Sequence, residues 1–220
     1  MRGPVNINTE IKIKNYRPEV LKAIREISIT NSILGAYKNH LLSEEIIADL
    51  LTSYFIEYEP QSCFVAEKDG EVVGYVLGSC DVLKMRKMIK GRILPGLAKK
   101  IFKNGLIFRS HNLRLIKNIV YSYVKGEFNV PDFSREYPAT LHVNIAPSYQ
   151  GRMIGSQLVN HFLELLKEKQ VRGIHFGVLS ERAREFFTRL NFEILFKGHY
   201  SFLRYLTGET LPHYIMGKKL

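Results

Sequence analysis

Residues 143–156, Val-Asn-Ile-Ala-Pro-Ser-Tyr-Gln-Gly-Arg-Met-Ile-Gly-Ser, constrain what this chain can fold into more than any other stretch. They read as a strand rich in β-branched residues, a proline turn and the first turn of a helix. Ile154, Leu158, Phe162 and Leu166 at fourfold spacing specify that helix, with Val159, Leu163 and Leu165 beside them. His161, Glu164, Lys167, Glu168 and Lys169 occupy its other side. A helix start leaves N–H groups without intrahelical partners and carries the positive end of the macrodipole. Gly151 and Gly155 remove side chains where an anion would have to come close, and Gln150 and Arg152 add donors around it. The join suits a phosphate or diphosphate. The same two glycines also fit a plain strand-to-helix turn in which they serve packing alone. Neither a G-x-x-x-x-G-K-S/T loop nor a G-x-G-x-x-G turn occurs, so P-loop and dinucleotide chemistry have no support.

On either side of the join the pattern alternates between strand and helix. Residues 8–14 read as an opening strand. Pro18 and Glu19 start a helix whose Val20, Ile24 and Ile27 share one face. After a break over 32–40, Ser43 caps a second helix carrying Ile46, Leu50, Leu51 and Phe55, which Pro60 ends. Residues 62–67 and 71–79 form a hairpin turning at Asp69 and Gly70. If Lys68 faces Glu71, then Cys63 faces Val76 and Cys80 falls opposite Glu59. The two thiols would then lie about 13 Å apart at strand rise, too far to bridge, and both are expected buried. Residues 139–145 return to strand, with Leu141, Val143 and Ile145 on one face and Thr140, His142 and Asn144 on the other. Residues 173–178 read as a buried parallel strand. Ser180 caps a short helix with Ala183, Phe186, Phe187 and Leu190 on one side, and residues 192–196 and 213–220 read as closing strands. The pattern assigns no form to residues 200–210.

A length of 220 residues suits one well-packed domain, or one domain with an insertion. No apolar run approaches the ~20 residues of a membrane span, and the start lacks the apolar region of a signal peptide, so a cytoplasmic location is the default expectation. The net charge of +11 is concentrated. Residues 81–137 hold thirteen Lys and Arg against Asp81, Glu127, Asp132 and Glu136, an excess of nine. That favours an anionic partner, whether ligand phosphates, an acidic acceptor, anionic lipid or nucleic acid; the plain alternative is a solvated face. Helical stretches are expected at 83–93, 97–108 and 113–124, interrupted at Pro95 and Gly105, then a loop over 129–138. Basic and apolar together suit a lid, a homodimer surface or a peripheral membrane contact, and a lid packed on its own domain is the plainest of these.

Gln150-Gly151-Arg152-Met153-Ile154-Gly155 resembles the Q/R-x-x-G-x-G/A loop of the GNAT superfamily of acyl-CoA-dependent N-acyltransferases, with Met153 where the middle Gly is usual. The element order is similar to that of the superfamily across most of the chain except 81–137, and residues 214–220 resemble its last strand. Residues 59–81 and 137–142 are similar to the acetyltransferase-like domains found with O-GlcNAc hydrolases. The resemblance implies an α+β GNAT fold over residues 1–220. In it, a central mixed sheet of about seven strands contains a splayed parallel pair and carries helices on both faces. The basic helical insertion 81–137 falls between the third and fourth strands. It further implies direct transfer of an acetyl or similar acyl group from CoA to an amine, with nucleic acid an unlikely partner. Acetyl-CoA would then be held by Val143, Asn144 and Ile145, by Gln150, Gly151, Arg152, Met153, Ile154, Gly155 and Ser156, and by Ser180, Ala183 and Phe187.

The amine must lose a proton, the oxyanion needs a donor and the departing thiolate benefits from an acid. A backbone N–H near 143–145 is the expected oxyanion donor. Superfamily members commonly carry N-x-x-A-x-x-F-Y after the second splayed strand, their Tyr acting as the acid. Here the stretch runs from Ser180 to Phe187, and Phe187 has no donor; Asn191 replaces the Gly usual before Phe192. Tyr149, Tyr200 and Tyr214 are candidates by chain position, Tyr214 foremost. His142 is the candidate base, against its reading as a structural strand histidine. Glu57 and Glu59 are acidic alternatives, otherwise expected solvated. The remaining histidines show no metal-ligand spacing, and no metal is expected. Phe187 motivates a second reading, a catalytically silent acyl-CoA-binding module. A nucleic-acid surface at 81–137 is a third. The acceptor, whether small amine, amino sugar, aminoglycoside or protein lysine, is not legible.

Overall fold

The computed structural model describes residues 10–37 and 43–220; the beginning of the expected first strand and His40 lie outside them. Strand β1 (Lys12–Asn15) leads through a single 3-10 turn at Pro18–Val20 into α1 (Leu21–Asn31), then α2 (Ile33–Ala36) and α3 (Glu44–Tyr58). The serine caps act as their positions suggest. The Ser32 and Ser43 side chains accept the N–H groups of Gly35 and Ile46, satisfying donors the helix cannot. The hairpin of β2 (Cys63–Lys68) and β3 (Glu71–Ser79) turns at Asp69 and Gly70. Both are left-handed, with φ of 53° and 86°, the two-residue geometry that matches strand twist. A bulge between Ala66 and Glu67 moves the far end of the ladder by one residue, so Cys63 faces Leu77 and not Val76. Both thiols are free; Cys63 is buried and Cys80 half-buried.

The basic segment follows as α4 (Val82–Met88), a π turn at Ile89–Ile93, α5 (Leu94–Lys103) and, after a 3-10 turn, α6 (Ser110–Val124). Pro95 does not interrupt it. The proline occupies the first turn of α5 directly after the π turn, where its missing N–H is tolerated. Leu97 and Leu106 pack on Ile46 of α3, while Leu115 packs on Leu203 and Leu211.

The chain closes with β4 (Thr140–Ile145), α7 (Ile154–Glu168), β5 (Gly173–Val178), α8 (Glu181–Arg189), β6 (Glu193–Tyr200), α9 (Arg204–Thr207) and β7 (Leu211–Lys219). Residues 204–207 are thus helical, inside the stretch the sequence left unassigned. The strands form two antiparallel ladders, β1-β2-β3-β4 and β5-β7-β6, where the sequence led us to expect one mixed sheet. Strand β5 is parallel only at its start. A bridge between Ala139 and Ile174 joins the ladders, with Ala139 donating to Gly173 O at 3.1 Å and His175 donating to Ala139 O at 2.9 Å.

Helix α7 lies across that join. Ile154, Leu158, Phe162 and Leu166 are at most 1% exposed, each contributing about 2 kcal/mol by burial. Their cluster takes in Phe64, Val76 and Leu141 from one ladder and Ile174, Phe176 and Met216 from the other. Val20, Ile24 and Ile27 cover the opposite face of the first ladder, against Val65, Tyr75 and Leu77. Helices therefore flank it on both sides, and the fit to α7 is tight. A Cβ added at Gly78 would fall 2.1 and 2.2 Å from the Phe162 ring atoms Cε2 and Cζ. Gly78→Val is expected to lower stability by about 2 kcal/mol or more in urea unfolding. Gly91→Ala, whose Cβ would meet nothing within 4 Å, is expected to stay within about 0.5 kcal/mol of the parent. Equal midpoints for the two variants would contradict this packing.

Candidate active site

Strand β4 is paired with β3 along one edge. At Ala139 both N–H and C=O turn toward β5, and strand alternation puts Leu141 and Val143 in the same phase. Beyond the bridge no further backbone bond joins β4 to β5 among the described residues. The main-chain groups of Leu141 and Val143 therefore face a gap, which is unusual for a strand in the middle of a protein. Two cavities meet at this gap.

The first, about 600 Å³, runs toward the start of α7. Val143, Asn144 and Ile145 line it from β4; Gln150, Gly151, Met153, Ile154, Gly155 and Ser156 line it from the loop and helix; Ser180, Ala183 and Phe187 line it from α8 and its cap. Of the residues anticipated around an anion, Arg152 alone is absent from its wall. That guanidinium sits over the Tyr149 ring, 5.2 Å from its centroid. Gln150 also serves differently from the expectation, since its Nε2 donates to Asn31 Oδ1 at 3.0 Å and to Ile145 O at 3.3 Å. It ties the loop to β4 and α1, and the loop's other donors at the cavity wall are backbone amides.

Those amides are presented by two left-handed residues, Gly151 at φ 81° and Met153 at φ 59°. Met153 is the N-cap of α7, and no side chain caps the helix. The left-handed conformation costs a residue with a Cβ about 1–2 kcal/mol, the physical reason a glycine suits this position. A Cβ at Gly155 would stand 3.2 Å from Phe186 Cζ, so the floor of the loop is as close as it can be. Asn31, Phe186, Arg182 and Arg189 also line this cavity, and sequence reasoning missed all four. The arginines could have been found from their seven-residue spacing on one side of α8. Nothing in the sequence marks Asn31. Among the described residues no Asp or Glu lines either cavity.

The second cavity, about 510 Å³, lies beyond the junction and shares Asn31, Val143, Ser180, Ala183 and Phe187 with the first. Its wall is largely apolar, from Leu34, Leu51, Leu141, Val178, Phe202 and Leu203, and it includes His142. Asn144 Nδ2 donates to Tyr75 Oη at 2.8 Å and lies 3.1 Å from His142 Nε2. That leaves the ring proton on Nδ1, toward the Leu51 backbone but without a hydrogen bond of good geometry. Burial pushes the His142 pKa down to about 4, so the ring is neutral near pH 7 and a weak base.

Of the other acid and base candidates, Tyr149 lines the first cavity beside the loop, beneath Arg152, and away from the residues the two cavities share; the rest lie outside both cavities. Tyr214 is buried outside both cavities, and its hydroxyl donates to the Glu181 carboxylate. Tyr200 stacks on His213, also outside them. Glu59 is buried, not solvated. It accepts from Tyr54 Oη at 2.5 Å, Ser79 Oγ at 2.6 Å and Cys80 N at 3.0 Å, a structural carboxylate. Glu57 is exposed. The basic segment packs on α3 and on Leu203 and Leu211, and among the described residues none of 81–137 lines either cavity.

The chain belongs to the acetyltransferase (GNAT) family, whose model matches residues 30–192. The family uses acetyl-CoA as acyl donor, and the chain is accordingly an enzyme of the acetyltransferase class. Among solved structures it is similar to one described as SsHAT, with a TM-score of 0.68 and 23% identity over 95% of this chain and 98% of that one. It is also similar to ribosomal-protein-alanine N-acetyltransferase from Brucella melitensis (TM-score 0.56, 17% identity, 95% and 99% covered). A third is yncA of Salmonella typhimurium, a structure with acetyl-CoA (TM-score 0.56, 13% identity, 96% and 94% covered). No curated protein matches the chain. Among the described residues no helix is long and apolar enough to cross a membrane, and no group of His, Cys, Asp or Glu could hold a metal ion.

The histidine carries a pH signature. Its folded pKa of about 4 lies below the ordinary 6.5, so the unfolded chain binds that proton more readily. Stability is therefore unaffected above pH 6.5 and falls as pH drops from 6.5 toward 4. His142→Gln should make the urea midpoint less steep across that window, leaving the same-signed contributions of His175 and His213. An unchanged slope would contradict the burial of a neutral ring.

Proposed function

We infer that the chain transfers an acetyl or similar small acyl group from acyl-CoA to an amine carried on an apolar body. The single observation behind this reading is the meeting of two cavities at Val143, Ser180, Ala183 and Phe187, one ending on free helix amides and the other largely apolar. A bound acyl-CoA supplies a thioester carbonyl open to attack by an amine nitrogen. The amides at Gly151–Ser156 bind its diphosphate, with Arg182 and Arg189 adding positive charge at the cavity wall. The free edge of β4 orients the arm, and the Val143 N–H donates to the oxygen that gains charge.

Proton handling is the unusual part. His142 is too weak a base to strip an ammonium ion, and no carboxylate lines the acceptor side. The acceptor is then used in its neutral form, which favours weakly basic amines. At the leaving sulfur, Phe187 offers nothing. The Ser180 oxygen already accepts from the Ala183 N–H at 3.2 Å as a helix cap, which keeps its own proton available as a donor at the junction. A thiol of pKa ~8.5 leaves with modest help. The absence of a strong acid supports a second reading, a module that binds acyl-CoA without turnover.

Calorimetry with CoA and a thiol-release assay across amines of graded pKa test these readings together. The expected outcome is binding plus release that is fastest for apolar, weakly basic amines. Gly155→Glu, checked for folding by thermal unfolding, should weaken CoA by about a hundredfold or more through steric and like-charge exclusion. Binding with no release on any amine would favour the silent module. Undiminished CoA affinity in Gly155→Glu would overturn both.

A further inference from the structure

Helix α6 is turned inside out relative to an ordinary surface helix. Its buried residues are Asn112, Leu115 and Ser122, two of them polar. Asn112 Nδ2 donates to Leu106 O at 2.7 Å, and Ser122 Oγ lies 3.2 Å from Ser201 Oγ. Leu113, Ile116, Val120, Tyr123 and Val124 instead recur at helical spacing along one outward stripe, and they are 44–77% exposed. At the turn joining α5 to α6, Phe102 and Phe108 stand 67% and 72% exposed with ring centroids 6.3 Å apart. A single exposed leucine needs no explanation, but a stripe beside a ring pair does.

Charge says what could cover it. Lys99, Lys103, Arg109 and Lys117 border the ring pair and the stripe, and none of them is in an ion pair among the described residues; Arg86 and Lys100 are. Residues 81–137 carry nine positive charges in excess, so two copies of this face would repel each other. Nucleic acid would use the cations but leave the apolar stripe wet. An interface that is negative at its surface and apolar just below satisfies both sets of groups, the arrangement by which amphipathic helices lie in a bilayer boundary.

We propose that the outer face of α5 and α6 docks on an anionic phospholipid bilayer. The Phe102–Phe108 pair and the α6 stripe enter the acyl boundary, and the surrounding Lys and Arg meet the lipid phosphates. Each basic side chain held near such a surface strengthens binding about fivefold. The contact is independent of acyl transfer, since no residue of this face lines either cavity.

Co-sedimentation of the full chain with vesicles of phosphatidylcholine alone, and of phosphatidylcholine with one-third phosphatidylglycerol, tests the proposal. The protein should partition onto the anionic vesicles and not the neutral ones, with binding that falls as salt is raised. Phe102→Asp combined with Phe108→Asp should weaken binding at least ~tenfold while leaving thermal unfolding unchanged. Failure of the parent to bind anionic vesicles overturns the proposal whatever the variant does. So does variant binding equal to the parent's, or binding to duplex DNA in place of vesicles. A parent dimer in sedimentation velocity that the double variant abolishes, without vesicle binding, would assign the face to a second copy.

Discussion

The structure depends on one helix seated across a seam. Among the described residues two antiparallel ladders touch through a single bridge at Ala139 and Ile174, and backbone bonding alone would leave them free to move apart. Helix α7 holds them together, because Ile154, Leu158, Phe162 and Leu166 pack on residues from both. The same seating fixes where the free amides of its first turn point, at the mouth of the gap between β4 and β5. Fold stability and ligand geometry thus rest on one set of contacts. That is why Gly78 and Gly155, which let Phe162 and Phe186 approach backbone closely, bear on both.

Strain and burial are concentrated along the same gap. Met153 accepts a left-handed backbone so that the loop can open its amides, and Gln150 spends its donors holding that loop in place. On the other side of the junction His142 is kept neutral by burial, with one nitrogen near Asn144 and the other toward the Leu51 backbone. The chemistry proposed above relies on a positioned backbone N–H and on an acceptor that arrives unprotonated. Strong acids and bases have little part in it.

Much of this was legible in the sequence, for identifiable reasons. The apolar period of α7, the glycines of its approach and the Ser43 and Ser180 caps are local signals, and each predicted its element. What depended on distant contacts was not legible. The hairpin register slipped because a bulge at Ala66 and Glu67 leaves no pattern in hydrophobicity. Tyr214 was named by chain position, yet its hydroxyl is taken by Glu181 from another element. Glu59 looked like a solvated carboxylate until three donors from separate segments surrounded it. The basic segment was expected to be a lid because apolar residues ordinarily face inward, whereas α6 turns them out.

The central claim is that the amides of 151–156 grip a diphosphate. Amide chemical-shift mapping on labelled protein, comparing CoA with pantetheine that lacks the diphosphate, tests it most directly. The account predicts that CoA shifts the Gly151, Met153, Gly155 and Ser156 amides strongly while pantetheine leaves them nearly unmoved. Loop amides silent to CoA, with the large shifts falling instead on α5 and α6, would contradict it.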